Sequence, residues 1–459
     1  MSANASSYSL EFIQDMLSEE SGRTSAWFND LELRSVFQPA FSLSHRRAVG
    51  FKAAIRSFSS RGNPVAHQEL FGPVHNFAET SMLDMLCTTL HVRNYAQHRP
   101  ANALLLLNLH PEVVVDSAAT AAYLGRLIAS SGLRPDELMI DIPGPVLGHP
   151  RLKEAVTAYR GLGCLIAVAD FGLDSADLDN IWQLSPTVVK IGRPVIARAV
   201  HDSYVREALP SAVSLLHEMG SLALVEGIES QDEALAAVHA DADFASGYFF
   251  GPLHDTLRGY GGGTAIIDEL WAAYRDMRPP ARADTLSAGM SFGNQPLYSK
   301  HIRKLRHASP AEIARYREER RPFVNELQRL GARVEGGEAF SSCCSAFLHL
   351  DGAIRCYLLG DDGLMLEPAV MAPQPPARDA VDFDSLAGDG GNWMRRDFFR
   401  RATREPEVVQ VTRQYCSLIG YPRCVTFSIA VRVKGRLVIV CGDVDWTLHA
   451  MVRRAPAAA

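Results

Sequence analysis

The sequence predicts an α/β fold, a (β/α)8 barrel of the TIM type, followed by a smaller C-terminal α+β domain. Three observations carry this. Eight short apolar runs lie between residues 36 and 250, stretches of helical period fit between them, and short β-rich runs resume beyond residue 336. The eight runs are 36–43 (VFQPAFSL), 49–58 (VGFKAAIRSF), 103–110 (ALLLLNLH), 138–142 (LMIDI), 165–170 (LIAVAD), 188–191 (VVKI), 222–228 (LALVEGI) and 244–250 (FASGYFF). Most are continuous rather than alternating, the pattern of strands buried on both faces. Segments 150–163, 175–184 and 205–220 read as helices between them. Eight strands with helices in about 220 residues match a closed barrel, and an open doubly wound sheet is the rival that pattern alone leaves standing.

The chain has 459 residues, 46 Lys+Arg against 52 Asp+Glu, and a formal net charge of −6. Such a balance gives no broad basic field, so DNA binding is not expected. No run of 18 apolar residues suggests a membrane span. The first 20 residues have neither a basic nor an apolar signal-peptide region. A cytoplasmic protein is therefore expected, with its 8 Cys reduced and buried as small hydrophobes. Four parts are expected: a helical lead-in over 1–33, the barrel over 34–255, a helical linker over 256–335, and a sensor-like domain over 336–459.

Polar residues stand at the C-terminal ends of the apolar runs: Asn108, Asp141, Asp170, Lys190 and Glu226. In a barrel those ends converge on one face, where sites form. A residue at a strand end also commonly caps the next helix. Five at matching ends favour a shared site.

The segment 34–255 resembles the EAL domain family, bacterial phosphodiesterases of cyclic di-GMP. The residues that carry the resemblance are VFQPAFSL with Gln38, VGFKAAIR with Arg56, LLNLHP with Asn108, IAVADFG with Asp170, VVKIG with Lys190, LVEGIES with Glu226 and Glu229, and SGYFFGPL with Gly247 and Pro252. The resemblance implies a barrel with one antiparallel strand and a nucleotide site containing Gln38, Lys52, Arg56, Asn108, Asp141, Asp170, Lys190, Glu226 and Glu229. It also implies an association surface around 171–184, hence a homodimer.

The departures from the family pattern change the expected chemistry. Lys52-Ala53-Ala54 stands where the resemblance implies Glu-Ala-Leu, and Ala169-Asp170 where it implies two aspartates. Asp141-Ile142-Pro143-Gly144 replaces an element that begins and ends in Glu, Gly192 follows Lys190-Ile191 in place of Asp, and Ser246 replaces Gln. Hydrolysis in the family uses two Mg or Mn ions to polarise the phosphodiester and to activate water, and such ions need several oxygen ligands. An ammonium about 4 Å from a divalent ion is repelled by several kcal/mol at intermediate dielectric. No catalytic residue and no resident cofactor are therefore expected; Mg or Mn enters only if residual activity exists. The expected function is a catalytically inactive receptor for cyclic di-GMP that relays to a protein partner, Arg56 making a charge-assisted phosphate contact. The alternatives are a nucleotide-free protein-binding regulator, in which Lys52 closes the site by pairing with Asp141 or Asp170, and a weak phosphodiesterase.

Beyond the barrel, 300–330 reads as a charged helix. Strand-like runs 345–350 and 353–359 flank Asp351-Gly352, and runs 424–433 and 436–444 flank Lys434-Gly435, both hairpin-like. A helical piece holds Trp393, Arg396, Phe398 and Phe399. This part resembles PAS-like or Cache-type sensor domains, which implies Arg396, Tyr415 and Asp443 as candidates to clasp a small charged ligand.

Overall fold

A computed structural model describes residues 9–20, 22–66, 69–70, 76–100, 102–172, 178–257, 263–276, 310–376, 391–418 and 423–447. Residues 277–299 of the expected helical linker, the start of the expected charged helix at 300–309 and residues 377–390 of the expected sensor-like domain lie outside these residues. So does Leu173 of the expected association segment. The chain divides into two units, the first holding residues 1–270 and the second most of the rest.

In the first unit eight strands close a ring. They are β1 (Leu31–Ser42), β2 (Arg47–Ser59), β3 (Leu104–Asn108), β4 (Leu138–Ile142), β5 (Leu165–Phe171), β6 (Val188–Ile191), β7 (Leu222–Val225) and β8 (Phe244–Ser246). Strands β2 to β8 run parallel, each hydrogen-bonded to the next. Strand β1 pairs antiparallel with both β2 and β8, which closes the barrel and excludes the open sheet. The parallel strands are near-continuous apolar runs: Leu104 to Leu107 are all buried, as are Ile166 to Val168 and Leu222 to Val225.

Alternation fixes which side chains enter the barrel. On β1, Ser35 and Phe37 point outward to the helix Phe77–His98: Ser35 Oγ lies 2.9 Å from His91 Nδ1, and the Phe37 ring meets His91 edge-on. Arg34, Val36 and Gln38 therefore face inward. On β2 the same holds for Lys52, Ala54 and Arg56, which lie directly across from Gln38, Val36 and Arg34.

The expected helical lead-in is only partly helical. A helix spans Leu10–Asp15, but the chain then forms a hairpin, Leu17–Glu20 with Arg23–Phe28, that extends the sheet past β1. Thr24, Ala26 and Phe28 are buried in alternation, a period of two that overrides the helical reading. Asn94 fixes the hairpin, accepting from Thr24 N at 3.1 Å and donating to Thr24 O at 2.8 Å.

The second unit contains a five-stranded antiparallel sheet, made of β9 (Ala353–Leu359), β10 (Val370–Met371), β11 (Gln410–Val411), β12 (Cys424–Val433) and β13 (Arg436–Asp445), in the order β10-β9-β13-β12-β11. The β12–β13 hairpin turns at Lys434-Gly435, both with positive φ. The expected strand at 345–350 is instead the short helix Ser345–Leu348, preceded by Phe340–Cys343. Its apolar residues pack as one face, Phe347 over Gly442 of β13, where an added Cβ would lie 2.4 Å from the ring. The helix Pro310–Glu335 belongs to this unit's core: Phe323, Leu327, Leu330 and Val334 pack with Phe427 and Trp446. Arg320 lies 4.3 Å from the Trp446 ring centre. All eight Cys are buried and outside any disulfide, as expected for small hydrophobes.

Candidate functional site

The inward side chains of the barrel meet in a chain of four charges. Lys190, near the C-terminal end of β6, is wholly buried and donates to Asp141 Oδ2 at 2.6 Å. Its Nζ also lies 2.9 Å from Glu226 Oε1, and Lys52 Nζ reaches the same oxygen at 3.0 Å. Strands β2, β4, β6 and the end of β7 each supply one member, and together they carry two positive and two negative charges. Asp141 Oδ1 is buried and has no hydrogen-bond partner among the described residues.

These contacts set the protonation states. Burial works against a charged Glu226, but Lys190 and Lys52 together hold its pKa down to about 2. Burial also lowers the Lys190 pKa, and the carboxylates of Asp141 and Glu226 more than reverse this, so Lys190 stays an ammonium. At Asp141 burial prevails over the Lys190 contact and raises the pKa above the ordinary carboxylate value.

The other residues singled out from sequence line the mouth. Asn108 ends β3 beside Asp141 and is exposed. Asp170 sits at an irregularity of β5 between Val168 and Phe171, with φ 59. A bulge of this kind re-aims a side chain, and Asp170 is turned to the exposed rim beside Gly144 and Gly192. Gln38 donates to Gly251 O at 3.2 Å. Glu229 pairs with Arg193. Arg56 is exposed on β2 and makes no ion pair among the described residues.

Sequence reasoning missed Arg193, whose side chain covers Gly227 so closely that an added Cβ would sit 2.7 Å from Arg193 Cβ. The signal was present: Gly192-Arg193 directly follows the Lys190 strand. Among the described residues no group of three or more His, Cys, Asp and Glu side chains is placed to hold a metal ion.

In the second unit Asp443 is buried and its oxygens are taken up. Arg355 Nε donates at 2.8 Å, Thr426 Oγ1 at 2.6 Å and Tyr357 OH at 3.3 Å. Arg355, the cross-strand neighbour of Asp443, was not singled out from sequence. Arg396 is buried at the N-cap of the helix Asp397–Arg404. Tyr415 is half-buried and falls in the first unit.

No helix among the described residues is long and apolar enough to cross a membrane. Residues 24–252 match the family model described as EAL domain. The cyclic di-GMP phosphodiesterase RocR of Pseudomonas aeruginosa is 24% identical over 229 residues, 48% of this chain and 57% of that protein. The cyclic di-GMP phosphodiesterase PdeF of Escherichia coli is 23% identical over 236 residues, 50% of this chain and 31% of that protein. The chain thus spans from about a third to somewhat over half of these relatives. The Bacillus subtilis YkuI protein, solved with cyclic di-GMP and calcium, is 16% identical with a TM-score of 0.48, covering 90% of this chain and 96% of that one. Residues 24–252 of this chain belong to the EAL domain family.

Proposed function

We propose that the barrel is a catalytically inactive receptor for cyclic di-GMP that passes ligand occupancy to a protein partner. The observation that carries this reading is the convergence of Lys52 and Lys190 on Glu226 Oε1, at 3.0 and 2.9 Å. Two ammonium groups stand against the carboxylates that would otherwise be free to bind cations. The donor set does not fit the two Mg or Mn ions the family uses. Asp141 and Glu226 each pair with an ammonium, and Asp141 Oδ1 with Asn108 and Asp170 still leaves about half of an octahedral shell unfilled. With no such ions there is no activated water and no Lewis acid for the phosphodiester.

Binding does not need that chemistry. Arg56 stands exposed at the mouth, with donors in the fork that matches a phosphate. The relatives' activity on cyclic di-GMP supports the choice of ligand. Calorimetry with cyclic di-GMP, with and without Mg, tests the reading. Binding at micromolar or lower concentration, independent of Mg and without formation of linear dinucleotide, is expected. Metal-dependent turnover overturns it.

One observation favours the second reading, a nucleotide-free regulator that binds protein: the four charges already neutralise one another without a guest. Absence of any binding heat selects that reading. In either case Trp182, 67% exposed on the helix Leu178–Leu184, is proposed to lie in a homodimer contact. The second unit is proposed as a PAS-like sensor with Arg396 and Asp443 as its ligand candidates; Tyr415, which falls in the first unit, leaves that set.

A further inference from the structure

Arg34 was not among the residues singled out from sequence, and nothing in the charge network at the barrel floor involves it. It lies on the inward face of β1 near the mouth, directly across from Arg56 of β2. Like charges in such opposed positions repel, so the arrangement needs a reason. Glu32 grips Arg34 with both oxygens, from Nε at 2.7 Å and from Nη2 at 2.7 Å. The Phe58 ring lies beneath it, with Arg34 Cζ 4.8 Å from the ring centre. The fork and the ring fix the plane of the guanidinium, yet 47% of the side chain remains exposed.

Its charge is already compensated. Glu32 is in contact, and Asp255 and Glu20 act on it at longer range. What Arg34 offers a ligand is therefore a held, flat surface more than an attractive charge. Guanidinium planes stack on nucleobases, and Arg does this where Lys cannot. Arg56 makes no ion pair among the described residues and supplies charge one strand away.

We propose that Arg34, held flat by Glu32 and Phe58, is a stacking shelf for one purine base of the nucleotide whose phosphate Arg56 contacts. This rests on the receptor reading and adds to it a residue that positions the base. It also assigns a role to Glu32 and Phe58, which act through Arg34 and touch no ligand.

The test is calorimetric titration of the full chain with cyclic di-GMP, comparing the unaltered protein with Arg34→Ala, Arg34→Lys and Glu32→Gln. Thermal unfolding of each variant serves as the folding control. The shelf predicts that Arg34→Ala and Arg34→Lys both weaken binding by about tenfold, within the range for stacking a base on a side chain. Glu32→Gln, which loosens the plane but keeps the guanidinium, weakens it less. Full affinity in Arg34→Lys shows that only charge mattered and overturns the shelf, as does full affinity in Arg34→Ala. If the unaltered protein itself gives no binding, the receptor reading fails and the shelf with it. If it binds and the Arg34 variants bind equally, only the shelf fails.

Discussion

Lys52 places its ammonium 3.0 Å from the Glu226 carboxylate, on the oxygen that Lys190 also contacts. The two lysines are not equivalent. Lys190 has no exposed surface, whereas 29% of the Lys52 side chain reaches solvent. Replacing Lys190 by Met is expected to destabilise the barrel by about 3–5 kcal/mol, because Asp141 is left as a buried, uncompensated carboxylate while Glu226 keeps only Lys52. Replacing Lys52 by Met leaves Glu226 its other partner and is expected to cost about 1 kcal/mol. Urea unfolding followed by circular dichroism separates the two.

Arg56→Ala is expected to weaken cyclic di-GMP binding by about 1.5–3 kcal/mol, the range for a hydrogen bond to a charged group, with no change in thermal unfolding. Equal affinity in the variant and the unaltered chain would place the pocket elsewhere.

Asp84 gives the barrel a pH dependence of its own. It is buried on the helix Phe77–His98 and accepts from His110 N at 2.9 Å. Burial raises its pKa from 3.8 to about 7, the amide contact opposing. The folded state thus holds a proton that the unfolded chain has lost, and the stability it confers is present below about pH 4 and fades as pH rises to about 7. Three units correspond to about 4 kcal/mol. Asp84→Asn is expected to remove most of the fall in urea midpoint between pH 5 and pH 8. Glu226 acts oppositely. Its pKa is held down to about 2, so its contribution is present above about pH 4.5 and is lost as pH falls toward 2.

Asp443→Ala is expected to cost the second unit about 3–5 kcal/mol, since it removes the buried carboxylate that Arg355, Thr426 and Tyr357 all contact. Replacing Arg355 and Asp443 together by apolar residues is expected to cost much less. Unfolding of the two variants by urea, monitored through Trp446 fluorescence, compares them. A single-variant loss below 1 kcal/mol would mean that Arg355 finds water or another acceptor.

Much of the barrel was legible because β3, β5 and β7 are buried on both faces and so appear as unbroken apolar runs. The site was partly legible for the same reason: a Lys or Asp at the end of such a run stands out. The pairing of Lys52 with Glu226 was not, since those residues are 174 apart and alternatives at Asp141 and Asp170 were equally open. Residues 345–350 misled because SAFLHL is apolar enough for either element, and only packing of Phe347 against Gly442 decides for a helix. Arg355 and Asp443 were hard to pair from sequence because cross-strand register is not written in either strand alone.

The irregular strand at Asp170 has a consequence for any visitor to the barrel. Its aim is set by main-chain torsion, with φ 59 at Asp170. A guest arriving there meets a doorway already cut to shape and has little backbone left to organise.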